Sequence, residues 1–84
     1  MNHSVRYVYS GLLLEARHRM GITQANAAEL CGISTRQYQK FEGCKALPRL
    51  DRAIHIAIVM HVSLDELVRL VQEHRQEEKQ EATV

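Results

Sequence analysis

TQANAAELCGISTRQYQKFE, residues 23–42, reads as two short helices joined by a tight turn. Thr23 is placed as an N-cap, with Gln24 opening a helix that runs to about Leu30. Gly32 falls where that helix must stop, because glycine accepts a positive φ without a Cβ penalty. Ser34 caps the second helix, and Gln37 three residues on completes an S-x-x-Q capping box. Only Cys31, Gly32 and Ile33 separate the first helix from the second cap, so the two helices must cross sharply. Ala25, Ala27 and Ala28 are small enough to let the second helix approach closely.

The second helix divides into two faces. At 100° per residue, Tyr38 and Phe41 point toward a core shared with Ala27, Ala28, Cys31 and Ile33. Arg36 and Lys40, four apart, project from nearly the opposite side with Gln39 beside them. Thr35 and Gln37 flank the exposed N-terminal turn. That outward set holds two cations, two amides and a hydroxyl, and no carboxylate. Arginine can fork onto guanine, glutamine onto adenine, and a threonine methyl can touch thymine. A plainly solvated helix face is the competing reading. The two-helix pattern favours helix-turn-helix geometry, with the second helix reading a DNA groove.

From about Ser10 to Leu70 the chain resembles the phage-repressor (Xre/Cro-like) helix-turn-helix family. The resemblance is carried by GITQ (Gly21 to Gln24), CGIS (Cys31 to Ser34), Phe41-Glu42, Lys45 and Pro48, and VSLDEL (Val62 to Leu67). It implies an all-α, five-helix lambda-repressor-like domain. It also implies that Gln24 binds a phosphate and buttresses the recognition helix, and that Thr35, Arg36, Gln37 and Lys40 face the major groove. Ser34 and Gln39 are counted with them. Three features depart from the family pattern. Gly43-Cys44 stands where Asn-Gly is common, Ala16 replaces a large aliphatic, and Leu12 and Leu14 are apolar where polar residues are expected.

Eighty-four residues suit one small domain with a modest core. No apolar run approaches the roughly 18–20 residues of a membrane span, and the N-terminus lacks a secretory apolar region. Two cysteines thirteen positions apart match neither a zinc spacing nor a disulfide framework, which points to a reducing cytoplasm. Cys31 is read as a small core hydrophobe. Net charge is only +1, but it is unevenly spread. Residues 1–49 carry seven Lys/Arg and three Asp/Glu, net +4, whereas residues 50–84 carry four and seven, net −3. The positive half contains the two-helix motif, as a nucleic-acid footprint requires. Non-specific affinity should be weak and strongly salt-dependent.

Val5, Tyr7 and Tyr9 alternate with polar residues apart from Val8, so residues 1–9 are expected to form a short strand or an arm. The DNA-binding domain is then 10–75, and 76–84 is a charged, frayed tail. Helix one is expected from about Gly11 to Met20, with Ser10 as its N-cap and Leu13, Ala16, Arg17 and Met20 facing inward. Glu42, at the core edge of the recognition helix, gives Arg17 a partner, and the family resemblance implies that the two form a structural ion pair. In the loop GCKALPR, Lys45 and Arg49 are candidate phosphate contacts or ordinary loop cations. A fourth helix, Leu50 to about His61, should put Leu50, Ala53, Ala57 and Met60 on the core, with Ile54 and Ile56 alongside. Ser63 opens a fifth helix through an S-x-x-E box ending at Glu66, with Leu64, Leu67, Val68 and Val71 as its stripe. Surplus apolar surface at Ile58, Val59, Val68, Leu70 and Val71 is assigned to a homodimer.

No phosphate-binding loop, dinucleotide fingerprint, zinc-protease or nucleophile-elbow motif is present, and the five histidines have no ligand spacing. No enzyme, metal or cofactor is therefore expected. The expectation is sequence-specific binding of double-stranded DNA by a small cytoplasmic transcriptional regulator, read as a repressor. Two alternatives stay open. The chain could be an antitoxin that holds a toxin and represses its own promoter, or a helix-turn-helix protein-interaction module that has left DNA.

Overall fold

The computed structural model describes residues 2–82, with side chains described over residues 4–76. Its elements are α1 (Asn2–Met20), α2 (Gln24–Cys31), α3 (Thr35–Glu42), α4 (Leu50–Met60) and α5 (Leu64–Ala82), with no strand among the described residues. Hydroxyl caps set three of the starts. Thr23 Oγ1 accepts from the Asn26 N–H at 3.1 Å, Ser34 Oγ from Gln37 at 3.1 Å, and Ser63 Oγ from Glu66 at 3.1 Å. Each satisfies a backbone donor that has no partner within the helix. Gly32 ends α2 with φ +71, which lets the Ile33 N–H return to the Ala28 carbonyl at 3.0 Å. His61 does the same work after α4 at φ +57, without the freedom of glycine. The Arg19 guanidinium donates to the His61 carbonyl at 3.4 Å and so ties α1 to that turn.

The first helix corrects the sequence reading. It begins at Asn2 and not at Gly11, so residues 2–9 are neither strand nor arm. Ser10 is no cap; it lies inside the helix and its hydroxyl donates to the Tyr7 carbonyl at 2.8 Å. The alternation of Val5, Tyr7 and Tyr9 lost to a helical stripe of buried Tyr9, Leu13 and Ala16, at i, i+4 and i+7. Buried Ser4 extends that packing toward the N-terminus. α5 offers the surface that makes the longer α1 worthwhile: the Tyr7 ring stacks on His74 at 5.6 Å between centroids. Met20, expected inside, is 36% exposed because α1 ends there. The helical backbone of α5 runs to Ala82; Thr83 and Val84, the end of the tail expected to fray, lie outside the described residues.

Tyr9, Leu13, Ala16, Ala27, Ala28, Cys31, Tyr38, Phe41, Ile56 and Met60 make one core under the two-helix motif. Ala27 and Ala28 provide the close approach between α2 and α3, while Ala25 is exposed. Burial pushes the Cys31 thiol above its ordinary pKa, in keeping with a small packed hydrophobe. α4 is rotated relative to the expected face. Ile56 and Met60 are buried, whereas Leu50 is 74% exposed and Ile54 and Ile58 are also exposed. On α5, Val71 is buried and Val68 exposed; Val59, on α4, packs against the core. Val59 and Val71 are therefore corrected from dimer surface to packing within the subunit, and Leu70 is half-buried.

Core and surface leucines should separate cleanly in urea unfolding. Leu13→Ala is expected to cost about 2–5 kcal/mol. Leu50→Ser should stay within about 0.5 kcal/mol. Equal losses would mean that α4 turns Leu50 inward after all.

Candidate nucleic-acid interface

α3 is eight residues long and shows each of its sides to a different environment. Tyr38 and Phe41 are buried against α1 and α2, and Thr35, Arg36, Gln39 and Lys40 are exposed on the far side. Gln37 is half-buried at the edge. Ser34 is exposed, but its hydroxyl oxygen already accepts the Gln37 N–H, which leaves its O–H to donate. The expected DNA-facing set thus lies on one helical surface, with Gln37 and Ser34 at its margin.

Four side chains hold that surface in place. Arg17 on α1 grips Glu42 at the end of α3 with two charge-assisted bonds, Nε to Oε2 at 2.9 Å and Nη2 to Oε1 at 2.8 Å. Its remaining terminal nitrogen donates to the Ile22 carbonyl at 3.0 Å. Glu42 keeps only 5% of its side-chain surface exposed, so the pair is largely removed from water. Gln24, the first residue of α2, donates from Nε2 to Glu42 Oε1 at 3.1 Å. Gln39 in turn donates from Nε2 to Gln24 Oε1 at 3.1 Å. The buttressing role that the family resemblance gave Gln24 therefore has a geometry: it bridges Glu42 to a residue of the exposed face.

The carboxylate governs the local electrostatics. Burial alone would raise the Glu42 pKa, but hydrogen bonds from Arg17, with Tyr38 and Gln24 contributing, hold it below the ordinary glutamate value. Arg17 is raised by its bond to Glu42. The buried Tyr38 hydroxyl adjoins the same carboxylate without reaching full hydrogen-bond geometry. Burial and then that negative charge push Tyr38 far above its ordinary pKa, so it stays protonated. Arg17 and Glu42 are accordingly a structural pair.

The loop after α3 supplies the remaining cations. Gly43 passes so close to the helix that an added Cβ would lie 2.9 Å from the Gln39 carbonyl oxygen. Cys44, where the family pattern has glycine, takes the positive φ of +64 itself. Lys45 and Arg49 are both exposed. Arg49 has only a loose contact with Asp51, 3.7 Å between charged atoms, and both side chains are more than three-quarters exposed. Such a pair contributes little and leaves the guanidinium able to reach elsewhere. Sequence reasoning missed the Gln24–Gln39 bond and the Ile22 carbonyl as an Arg17 acceptor. The first has no local signal, since it joins residues fifteen apart on different helices; the second spans five residues across the turn after α1. Among the described residues no group of three His, Cys, Asp or Glu could hold a metal ion. No described helix is long and apolar enough to cross a membrane.

Two capped helices crossing at a glycine turn, with the second presenting a cationic, amide-rich face, define a helix-turn-helix domain of the DNA-binding kind. The helix-turn-helix family model matches residues 13–67, and the chain belongs to that family, in its phage-repressor branch. A curated relative is the cryptic phage CTXphi transcriptional repressor RstR of Vibrio cholerae serotype O1 (strain ATCC 39315 / El Tor Inaba N16961). It is 36% identical over 55 residues, which cover 66% of this chain and 49% of that repressor. The chain thus spans about half the length of the curated relative it matches. No solved structure matches it.

The Arg17–Glu42 pair makes a signed pH prediction. A carboxylate whose folded pKa lies below its unfolded value stabilises the fold above the ordinary range and loses that contribution as pH falls through the lowered value. Urea stability should hold from neutrality to about pH 4.3 and then decline. Glu42→Gln should cost about 3–5 kcal/mol at pH 7, by leaving Arg17 unpaired, and should flatten the acid decline. An unchanged acid slope in the variant would acquit Glu42.

Proposed function

We propose that this protein is a sequence-specific double-stranded DNA-binding transcriptional regulator, and that it represses by occluding a promoter. The observation that carries the reading is the exposed face of α3. Thr35, Arg36, Gln39 and Lys40 stand on a helix whose other side is locked to α1 by a desolvated ion pair. Side chains held on a rigid helix can discriminate base edges, because little ordering remains to be done on binding. Arg36 is the candidate guanine reader, and Lys40 and Gln37 lie toward the margins of the groove. Lys45, Arg49 and the half-exposed start of α2 at Gln24 are assigned to the phosphate backbone, where they position without specifying. The name of the phage repressor relative supports repression as the outcome.

A homodimer completes the reading, because one small unit covers about half a site. The exposed stripe Leu50, Ile54 and Ile58, spaced i, i+4 and i+8 on α4, is the surface that best suits a second copy. These side chains are 74%, 44% and 67% exposed. Covering them on both copies yields roughly 5–11 kcal/mol at about 1.5–3 kcal/mol per fully buried aliphatic. Association costs about 4–15 kcal/mol. The near balance describes a weak dimer that is completed on DNA. Val68, with 57% exposed surface on α5, lies outside this stripe.

Selection of bound fragments from random and genomic DNA tests the function directly, and a salt-insensitive or empty selection rejects it. Within the selected site, Arg36→Ala should cost roughly 1–3 kcal/mol and relax preference at one base pair. Lys45→Ala should weaken all sequences alike and lower the salt slope by about one. The assignment fails if the two variants exchange behaviours. Ile58→Asp should remain folded and bind half-sites normally, but lose the cooperative gain on a full site, as read by sedimentation and by titration of paired half-sites.

A further inference from the structure

We infer that Gln39 reads a hydrogen-bond donor on a base edge, and that Glu42 sets this polarity through Gln24. The inference rests on the DNA-binding reading above and adds to it which chemical group is read. A glutamine amide ordinarily presents either end, since rotation by half a turn exchanges its carbonyl and its NH2. Here the choice is made by a chain of hydrogen bonds. Both Glu42 oxygens accept from Arg17, so the carboxylate is ionised and offers no proton. The atom of Gln24 that lies 3.1 Å from Glu42 Oε1 must therefore be its nitrogen. The other end of Gln24 is then its carbonyl, which can only accept. The atom of Gln39 at 3.1 Å from that carbonyl must in turn be Nε2.

This leaves the Gln39 carbonyl as the acceptor on the outward side of α3, between Thr35 and Arg36 on the helical wheel, with one N–H still free. Adenine offers N6–H to that carbonyl and N7 to the free N–H, and cytosine offers N4–H. Guanine and thymine present O6 and O4 at the corresponding place, and each would face a carbonyl. On the contacted strand Gln39 thus prefers adenine, then cytosine, over guanine and thymine. Glu42 and Gln24 are positioning residues in this scheme; Gln39 alone touches the base.

The test is base-preference selection with four proteins: the unmodified chain, Gln39→Ala, Gln24→Ala, and Gln24→Ala combined with Gln39→Glu. The position read by Gln39 is the one whose preference disappears in Gln39→Ala. At that position the unmodified protein should favour adenine or cytosine by about tenfold, within the range for one good contact. Gln24→Ala lies at the half-exposed start of α2 and leaves the Arg17–Glu42 pair intact. It should free the Gln39 amide to turn over and shrink that preference to about threefold or less, with neighbouring positions unchanged. The double variant restores an acceptor-only group and should recover discrimination toward cytosine. Loss of the Gln24 phosphate contact should also weaken every sequence alike, so the deciding readout is base preference at this position and not affinity. Unchanged preference in Gln24→Ala, or guanine or thymine selected at that position by the unmodified protein, overturns the inference. If the unmodified protein selects no DNA, the DNA-binding reading fails first and this inference falls with it.

Discussion

The exposed face of α3 depends on one largely desolvated ion pair. The Arg17 guanidinium uses both edges of its planar fork, closing on Glu42 with two bonds and on the Ile22 carbonyl with a third. It therefore joins α1, the turn that leads into α2, and the last residue of α3. A buried pair of this kind is not required for stability, since well-packed apolar groups can do as well. What it adds is direction: two charges that cannot be left unpaired admit few alternative packings of α3 on α1. The exposed face of the recognition helix inherits that rigidity.

The same carboxylate reaches the surface through amides. Gln24 and Gln39 carry the acceptor character of Glu42 outward one hydrogen bond at a time, so a buried charge shapes how an exposed amide is presented. The bond nearest solvent, from Gln39 to Gln24, is neutral, and water competes for it. Its value lies in orientation more than in energy. The loop that follows is held differently, by the close pass of Gly43 beneath the Gln39 carbonyl and by a left-handed Cys44.

Charge and apolar surface are distributed in keeping with this frame. Of the seven cations in residues 1–49, four lie on α3 and its loop and three on α1, and the carboxylates of the second half lie largely on α5. Between them α4 carries aliphatic side chains on two sides. Ile56 and Met60 complete the core, and Leu50, Ile54 and Ile58 are left outside.

Local chemistry was enough to place the central motif. The hydroxyls of Thr23, Ser34 and Ser63 and the glycine at 32 act within three or four residues of their own positions, so their caps could be written from the sequence alone. The polar and apolar faces of α3 were legible for the same reason, as was its membership in a five-helix, all-α fold. The start of α1 was not, because residues 2–9 alternate locally yet become helical once α5 provides a surface for Tyr7 and the core takes Tyr9. The face of α4 was also undecidable in advance: its apolar residues extend most of the way round, and only packing against α1 and α2 selects Ile56 and Met60 over Leu50. Gln39 belongs with these. Its place on the exposed face follows from a 100° step, but the direction of its amide depends on a carboxylate and a second glutamine that only the folded chain brings within 3.1 Å.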